Sequence, residues 1–427
     1  MLNILKIAIR NLARFHRRTL LTSTLITLGI VAVLLFMASA GSFKAMMISQ
    51  FTDAVLGHLE VHRKGYVASI DTLPLNLNMQ PTMVAKVEET LQRLDAVEAY
   101  SERVKLGAMF SNFTETTSVR VNGIDPEKEV ATTPLMPGRV VQGNKDGALI
   151  KPGEILIPTL LARGMKVQVG DTVVLVATNR DGSVNGKTFT VRGIMEAVTG
   201  PSGRDAYIRI DDARTLLRMT QPEVSEIAIR LKNPAQLDNV YAQLSQELSG
   251  ITGGGSASGM KGGAGAGGGG GLEVHTWASL SPFSNIANMI DLLTVFIKIM
   301  LVSIVLISIL NVMVMAVYER IREIGTIAAI GTPPRRILSL FLTEGLLLGV
   351  GGATLGTAIS LVVIYALNVW KISFNFGQQQ GLLLSPAISV RDVAIIAGLV
   401  VLMALLASLQ PAWKASRMDP VTALGHV

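Results

Sequence analysis

The stretch that decides the fold is ERIREIGTIAAIG, residues Glu319 to Gly331, followed directly by TPPRR, residues Thr332 to Arg336. Apolar residues recur in it at helical spacing and form a narrow stripe, made of Ile321, Ile324 and Ala328 with Ile327 beside them. Gly331 is a typical helix end, and Thr332 with Pro333 predicts an N-cap and a first-turn proline. The segment therefore predicts a short amphipathic helix that is followed at once by a second helix.

Hydrophobic segments on both sides of this helix are long enough to cross a membrane, which takes about 18 to 20 predominantly apolar residues. They are residues 19–40, 299–317, 337–369 and 393–409. The first exceeds the roughly 7 to 15 apolar residues of a signal peptide, so we interpret it as a retained anchor. The pattern predicts an α-helical membrane protein with four transmembrane helices.

The composition agrees with this prediction and excludes several classes of function. Of the 427 residues 49% are hydrophobic and 16% are charged, whereas soluble domains carry roughly 25% charged residues. The chain has no cysteine, which excludes disulfide frameworks and cysteine-based metal sites. Its net charge of +7 lies largely next to the membrane segments and is not interleaved with aromatic residues, so we predict no nucleic-acid binding.

Basic residues near the spans predict the orientation, because short loops rich in Lys and Arg stay in the cytoplasm. They lie in the N-terminal tail, in the 319–336 loop and in the C-terminal tail, so both termini are expected in the cytoplasm. In residues 1–18, apolar residues recur at helical spacing on one face and basic residues on the opposite face, which predicts an interfacial helix on membrane lipids. Residues 41–285 and 370–391 then face the outside, so the predicted fold has a large α+β extracytoplasmic domain between the first and second spans.

The order of strands and helices in this outer domain fits an α/β domain interrupted by a β-rich insertion at residues 126–222. Residues 250–271 are almost all Gly, Ser and Ala, which predicts a flexible loop. The P-loop pattern, Gly, four residues, then Gly-Lys-Ser/Thr, is found nowhere in the chain. No cluster of nucleophile, acid and base is recognisable either, so we predict no catalytic residues.

Several motifs together resemble the permease subunits of the MacB-like ABC superfamily, which includes FtsX-like and lipoprotein-releasing LolC/LolE-like proteins. They are Asn311 with the run Glu319-Arg-Ile-Arg-Glu-Ile-Gly325, Ala329-Ile-Gly331, Glu344-Gly345 and the ending Gln410-Pro-Ala-Trp-Lys-Ala-Ser-Arg-Met-Asp-Pro420 with Ala423-Leu424. Arg18-Thr-Leu-Leu-Thr22, Leu28-Gly-Ile30, Gly57-His-Leu-Glu-Val61, Trp277 and Pro282 also fit. The pair Pro333-Pro334 departs from the family pattern and puts the local helix geometry in question.

The resemblance implies a dimer of four-span protomers that works with a separate ABC ATPase subunit. This chain would bind no cofactor, and ATP and Mg would bind to the ATPase. The outer domain would comprise a porter-like part at 57–125 and 223–276 with the β-rich insertion at 126–222. The implied division of the chain begins with a tail helix (1–18), the first span (19–41), the outer domain (42–285), the second span (286–318) and the coupling helix (319–336). It continues with the third span (337–369), an outer connection (370–391), the fourth span (392–410) and a tail (411–427).

The resemblance makes 319–336 a coupling helix for the ATPase. Its site residues would be Glu319, Arg320, Ile321, Arg322, Glu323, Ile324, Gly325, Ile327 and Gly331. Arg320, Arg322 and Glu323 would orient the helix by ion pairs. Ile321, Ile324 and Ile327 would insert into the ATPase. The alternative is an ordinary interfacial loop.

Four glycines at spacings of four, three and four lie on one face of the third span, namely Gly345, Gly349, Gly352 and Gly356. They predict close helix packing, either between protomers or within one protomer. Glu344 beside them is an intramembrane acid, which either pairs with a juxtamembrane arginine or belongs to a proton relay. His58 and His62 have no evident third ligand nearby, so we predict no metal site.

These observations favour an inner-membrane permease that couples ATP hydrolysis on a partner to motion of its periplasmic domain. It would extract or export a lipoprotein, lipid, peptide or small amphiphile, with a periplasmic adaptor or lipoprotein carrier as a further partner. The alternatives are an FtsX-like signalling protein that activates a periplasmic hydrolase, and a receptor or anchor without an ATPase.

Overall fold

The computed structural model describes residues 2–143, 147–196, 205–250, 271–280, 283–371, 373–376, 379–383, 385–419 and 423. The chain divides into two compact units. The first contains Met1–Met46 and Ile286–Val427, and the second contains Met47–Asn285. Nearly all of the Gly-rich loop predicted at 250–271 lies outside the described residues.

The helices are, in chain order, α1 (Leu2–Arg14), α2 (His16–Phe51), α3 (Pro81–Arg93), α4 (Pro126–Thr132), α5 (Thr159–Gly164), α6 (Ile210–Leu216), α7 (Leu237–Leu248), α8 (Phe283–Glu319), α9 (Ile321–Ala329), α10 (Pro334–Trp370) and α11 (Val390–Ser416). The strands are β1 (Leu59–Arg63), β2 (Val97–Ser111), β3 (Thr116–Ile124), β4 (Val140–Gly143), β5 (Glu154–Pro158), β6 (Thr172–Thr178), β7 (Val184–Met195), β8 (Asp205–Arg209), β9 (Glu226–Leu231), β10 (Leu272–Thr276), β11 (Ser373–Phe376) and β12 (Gln379–Leu383).

In the first unit, α2, α8, α10 and α11 are long and apolar enough to cross a membrane, by length and composition. Apolar side chains of all four helices form one buried cluster, for example Ile30, Val305, Phe341 and Val400. The fourth helix continues to Ser416 with Pro411 inside it, beyond the predicted end at residue 410. The predicted outer connection at 370–391 contains the antiparallel pair β11 and β12, which sequence periodicity did not indicate.

The start of α10 corrects one prediction from the sequence. Pro334, not Pro333, is the first helical residue, and Pro333 is the extended N-cap residue with ψ 144°. A residue that precedes a proline is forced out of the helical region by the ring of that proline. The paired prolines therefore move the helix start one residue along the chain, and Thr332 is not the N-cap.

The second unit is built on one ten-stranded sheet that closes on itself in part. The strand order is β10-β1-β9-β2-β3-β8-β5-β7-β4, and β6 pairs with both β2 and β7. The pairs β2–β3, β3–β8, β8–β5, β5–β7, β7–β6 and β6–β2 therefore form a ring of six strands. Large apolar side chains such as Phe110, Leu175 and Phe189 are buried in the core of this unit. Two strands of residues 126–222 thus pair with earlier strands, β6 with β2 and β8 with β3.

The other end of this sheet consists of β10, β1, β9 and β2, and its two faces differ. Leu59 and Val61 of β1 lie on one face and join a core that includes Val87 of α3 and Leu244 of α7. Glu60 and His62 lie on the opposite face, because side chains alternate along a strand. Both are buried as well, with at most 2% of their surface exposed. One sheet therefore buries an apolar face and a charged face.

Candidate functional site

The short helix α9 is delimited at both ends by local geometry. Gly331 has φ +88°, its N–H donates to the carbonyl of Ala328 at 3.0 Å, and the N–H of Thr332 donates to the carbonyl of Ile327 at 3.3 Å. This pair of hydrogen bonds is the Schellman pattern, which requires a left-handed residue and so favours glycine. Only residues 330 to 333 separate α9 from α10, so the two helices are joined by a short, constrained turn.

A buried ion pair connects the start of α9 with α10. Nη1 of Arg320 donates to Oε1 of Glu344 at 3.0 Å, and the two side chains are 4% and 1% exposed. The amide of Asn11 on α1 donates to the same oxygen at 2.8 Å, and the guanidinium lies 4.1 Å from the centre of the Phe15 ring. Glu344 is therefore paired with a juxtamembrane arginine, the first of the two alternatives.

The isoleucines of α9 do not all face outward, which corrects the expected contact surface. Ile324 is 4% exposed and belongs to the apolar core of the first unit, whereas Ile327 is 38% and Ile330 is 80% exposed. Ile321 is half-buried and Gly325 is buried. The large exposed apolar side chains here are Ile327 and, just beyond the last residue of α9, Ile330. Because Ile324 is buried in the first unit, the prediction that it inserts into a partner is wrong.

The charged residues of α9 lie on its exposed side. Arg322 and Glu323 are exposed, as is Glu319 at the end of α8. A carboxylate oxygen of Glu323 lies 4.0 Å from Nη1 of Arg14 on α1. An exposed pair of this kind contributes little free energy, but it orients α1 and α9 consistently with the Arg320 contacts.

The four predicted glycines contact two different helices of the same chain. A Cβ at Gly345 would collide with Ser408 of α11, and one at Gly349 would lie 2.7 Å from Cβ of Ala404. A Cβ at Gly352 or Gly356 would instead lie 2.5 Å or 2.9 Å from side-chain atoms of Ile26 and Ile30, respectively, on α2. The stripe therefore allows close helix packing within one protomer.

The charged face of the second unit was not predicted as a site. It brings together three acidic and two basic side chains, Glu60, Glu129, Glu226, Arg103 and Lys105, with His62. Nη2 of Arg103 lies 2.6 Å from Glu129, its Nη1 lies 3.1 Å from Glu226, and Nζ of Lys105 lies 2.6 Å from Glu226. Asp125 caps α4, which carries Glu129, by accepting hydrogen bonds from the N–H groups of Glu127 and Lys128.

This environment shifts the pKa values of the buried groups in opposite directions. Burial and the neighbouring Glu226 raise the pKa of Glu60 to about 8. Burial acts to raise the pKa of Glu226 too, but Lys105, the hydrogen bond from His62 and Arg103 lower it far below its usual range. Burial lowers the pKa of His62, which favours the neutral imidazole. Glu226 thus carries the negative charge most firmly.

His58 and His62, which were considered together, have different surroundings. Nδ1 of His58 accepts a hydrogen bond from the N–H of Leu231 at 3.0 Å. Nε2 of His62 lies 3.4 Å from Glu60 and 3.3 Å from Glu226. The statement that no further ligand lies near His62 is therefore wrong. Charged residues at alternate positions of otherwise apolar strands, as in Glu60 and His62, were the available signal.

Two known protein families match the chain, one on each side of the Gly-rich segment. A family profile described as the MacB-like periplasmic core domain matches residues 19–247, and one described as the FtsX-like permease C-terminal matches residues 295–420. The chain belongs to the MacB-like permease family. It is a permease of the MacB, LolC and FtsX type, a multi-pass protein of the inner membrane.

Curated relatives of this permease fall into two groups. The lipoprotein-releasing system transmembrane protein LolC of Neisseria meningitidis is 24% identical over 421 residues, 94% of this chain and 92% of that protein. The pyoverdine export ATP-binding/permease protein PvdT of Pseudomonas syringae is 37% identical over 117 residues, 27% of this chain and 16% of that protein. The macrolide export ATP-binding/permease protein MacB of Nitrosomonas europaea is 38% identical over 119 residues, with the same two shares.

Two solved structures are similar to parts of the chain. The periplasmic region of MacB from Actinobacillus actinomycetemcomitans covers 55% of this chain and 92% of its own, with 10% identity and a TM-score of 0.35. The extracellular domain of the transporter YknZ from Gram-positive bacteria covers 44% and 90%, with 12% identity and a TM-score of 0.30.

Proposed function

We propose that this permease couples ATP hydrolysis by a separate ABC ATPase subunit to motion of its periplasmic domain, and that α9 is the helix on which the ATPase docks. The observation that carries the proposal is the contrast within α9. Its start is fixed by the buried pair Arg320–Glu344, while Ile327 and Ile330 remain exposed beside charged neighbours. An exposed apolar patch with a polar rim is typical of a protein–protein contact.

The given residues contain no P-loop pattern, so ATP would bind to an ATPase that these residues do not include. The match covers 92% of the length of the LolC relative but only 16% of the length of each of the two ATP-binding/permease relatives. We propose that it resembles the LolC relative in being a transmembrane protein that works with an ATPase on another chain. Both termini and α9 face the cytoplasm, as the basic residues beside the spans indicate.

By the same likeness, the substrate class that we propose is a lipoprotein released at the outer face of the membrane. An amphiphile with acyl chains reaches the four spans from the bilayer, and α8 presents large exposed apolar side chains such as Leu292 and Phe296. Efflux of a small molecule or peptide, as in the two exporter relatives, and FtsX-like signalling to a periplasmic hydrolase are the outcomes that the experiment distinguishes.

The docking role is tested by affinity purification of the full chain from its native membranes. We expect a P-loop ATPase to co-purify with the wild type. It should be lost from the variant Ile330→Asp, because a charge would enter the apolar contact. Val390→Asp is the matched control, since Val390 is an equally exposed apolar residue at the start of α11. Retention of the ATPase by Ile330→Asp would refute docking on α9.

The substrate is tested by reconstituting the co-purified complex in proteoliposomes that carry a triacylated lipoprotein. ATP-dependent release of the lipoprotein into the soluble fraction supports the proposal. ATPase activity that responds to a drug or siderophore and not to the lipoprotein would indicate an exporter. Activity that responds to neither, but rises with a soluble periplasmic hydrolase, would indicate signalling.

A further inference from the structure

The charged face of the second unit contains three side chains arranged as metal ligands. Nε2 of His62 lies 3.4 Å from Oε2 of Glu60 and 3.3 Å from Oε2 of Glu226, and all three donor atoms lie within 4.8 Å of one another. Zinc ligands lie about 2.0 to 2.2 Å from the metal, so two ligands of a tetrahedral site are separated by roughly 3.3 to 3.6 Å. The two distances at His62 match the edge of such a tetrahedron.

Hydrogen bonding at this cluster is incomplete. Among the described residues, Oε1 of Glu60 and Nδ1 of His62 are buried and have no hydrogen-bond partner. Buried polar atoms are nearly always paired, and leaving them unpaired costs free energy. Oε1 of Glu60 belongs to one of the three donor side chains, which favours a bound group that the protein chain does not supply.

The charges indicate the sign of that group. Three buried carboxylates, Glu60, Glu129 and Glu226, face two buried cations. Arg103 hydrogen-bonds Glu129 and Glu226, and Lys105 pairs with Glu226. The nearest cation to Glu60 is Nη1 of Arg103, 3.7 Å from Oε1 and beyond hydrogen-bond distance. Glu60 is thus the carboxyl group of the three that has no cation within hydrogen-bond distance, and a metal cation bound there would compensate its charge.

We propose that Glu60, His62 and Glu226 form a binding site for a divalent transition-metal cation of the Zn²⁺ class, which holds β1 and β9 together. One imidazole with two carboxylates suits Zn²⁺, whereas Mg²⁺ and Ca²⁺ prefer oxygen ligands alone. Nζ of Lys105 lies 2.6 Å from Oε2 of Glu226, one of the three proposed ligand atoms, so Lys105 competes with the metal for this oxygen. Its side chain is 18% exposed, so its flexible stem has a route outward when the metal enters.

Metal retention by the full-length chain in detergent tests the site. After incubation with excess Zn²⁺ and desalting, elemental analysis of the wild type should give about one Zn²⁺ per chain. His62→Gln, Glu60→Gln and Glu226→Gln should each weaken binding by about tenfold or more. Glu129→Gln is the matched control, because it removes a carboxylate of the same network that is not one of the three donors. It should retain the metal.

Lys105→Met separates a metal site from a network of ion pairs alone. Removing the competing ammonium should tighten Zn²⁺ binding by about tenfold, equivalent to about 1.4 kcal/mol. Unchanged or weaker binding in Lys105→Met would overturn the proposal, as would equal metal retention by the wild type and His62→Gln. If the buried variants do not fold, the wild type loaded with Co²⁺ still decides the matter. Visible absorption typical of four-coordinate Co²⁺ supports the site, and its absence contradicts it.

Discussion

Two adjacent glycines of α10 lead to a prediction in which one residue is the control for the other. A Cβ added at Gly352 would lie 2.5 Å from Cγ2 and 2.8 Å from Cβ of Ile26 on α2, whereas a Cβ at Gly351 would meet nothing within 4 Å. Both Gly→Ala substitutions gain the same helix propensity, about 1 kcal/mol. That gain cancels when the two variants are compared, so the difference reports the contact with α2.

The size of the difference follows from the distances. Carbon atoms in ordinary contact are about 3.5 to 4.0 Å apart, so α2 must retreat by about 1 Å or Ile26 must leave its preferred rotamer. Overpacking of this kind typically costs about 1 to 3 kcal/mol. We therefore expect the free energy of unfolding of Gly352→Ala to be lower than that of Gly351→Ala by about 1 to 3 kcal/mol.

The assay is unfolding of the full chain in mixed micelles with a rising fraction of SDS, followed by tryptophan fluorescence. Adding Ile26→Ala to Gly352→Ala removes the colliding Cγ2 and should recover part of the loss. Equal stability of the two single variants, within about 0.5 kcal/mol, would refute the close approach of α2 and α10 at this point.

Three further predictions concern other sites and are measured by the same unfolding assay, or by thermal unfolding for the second unit. Glu344→Leu leaves Arg320 buried and unpaired, so it should cost about 3 to 5 kcal/mol, and adding Arg320→Met should restore most of this. Gly331→Ala should cost about 1 to 2 kcal/mol, because φ +88° places its Cβ against the following carbonyl. Asp125→Ala should cost about 1 kcal/mol, because α4 loses its N-cap.

Each of these predictions has a control that isolates its cause. A Glu344→Leu, Arg320→Met double variant no more stable than Glu344→Leu would show that the loss is not due to an unpaired charge. Gly331→Asn should be milder than Gly331→Ala, since asparagine tolerates the left-handed conformation. Asp125→Ser should retain most of the stability, and a loss equal to that of alanine would contradict the capping role.

The four long apolar helices and α9 could be predicted from the sequence because their signals are local, whereas the short helices α4, α5 and α6 were not predicted. Twenty apolar residues in a row, or an apolar stripe at helical spacing, require no knowledge of the partner segment. The end of α9 just before Gly331 could be predicted in the same way. The start of α10 at Pro334 was missed by one residue, although the rule on residues that precede proline applied to Pro333.

The closed ring of strands and the charged site could not be predicted, because both depend on pairings between distant segments. The contact of β2 with β6 joins residues near 110 to residues near 175, and nothing in either strand specifies that partner. Glu60 and His62 appear, in β1 alone, as the solvent face of an ordinary alternating strand. Only the pairing with Glu226 of β9 and the cover by Glu129 of α4 show that this face is buried.

The geometry around α9 bears on how a force applied there reaches the rest of the first unit. The linker to α10 is short, Gly331 fixes one turn of it, and the rings of Pro333 and Pro334 fix the backbone angle φ of these two prolines. Such a linker is stiff, so a force applied at the exposed Ile330 is transmitted to α10. The paired prolines that depart from the family pattern thus favour the proposed coupling. They stiffen the connection that a docked ATPase would move.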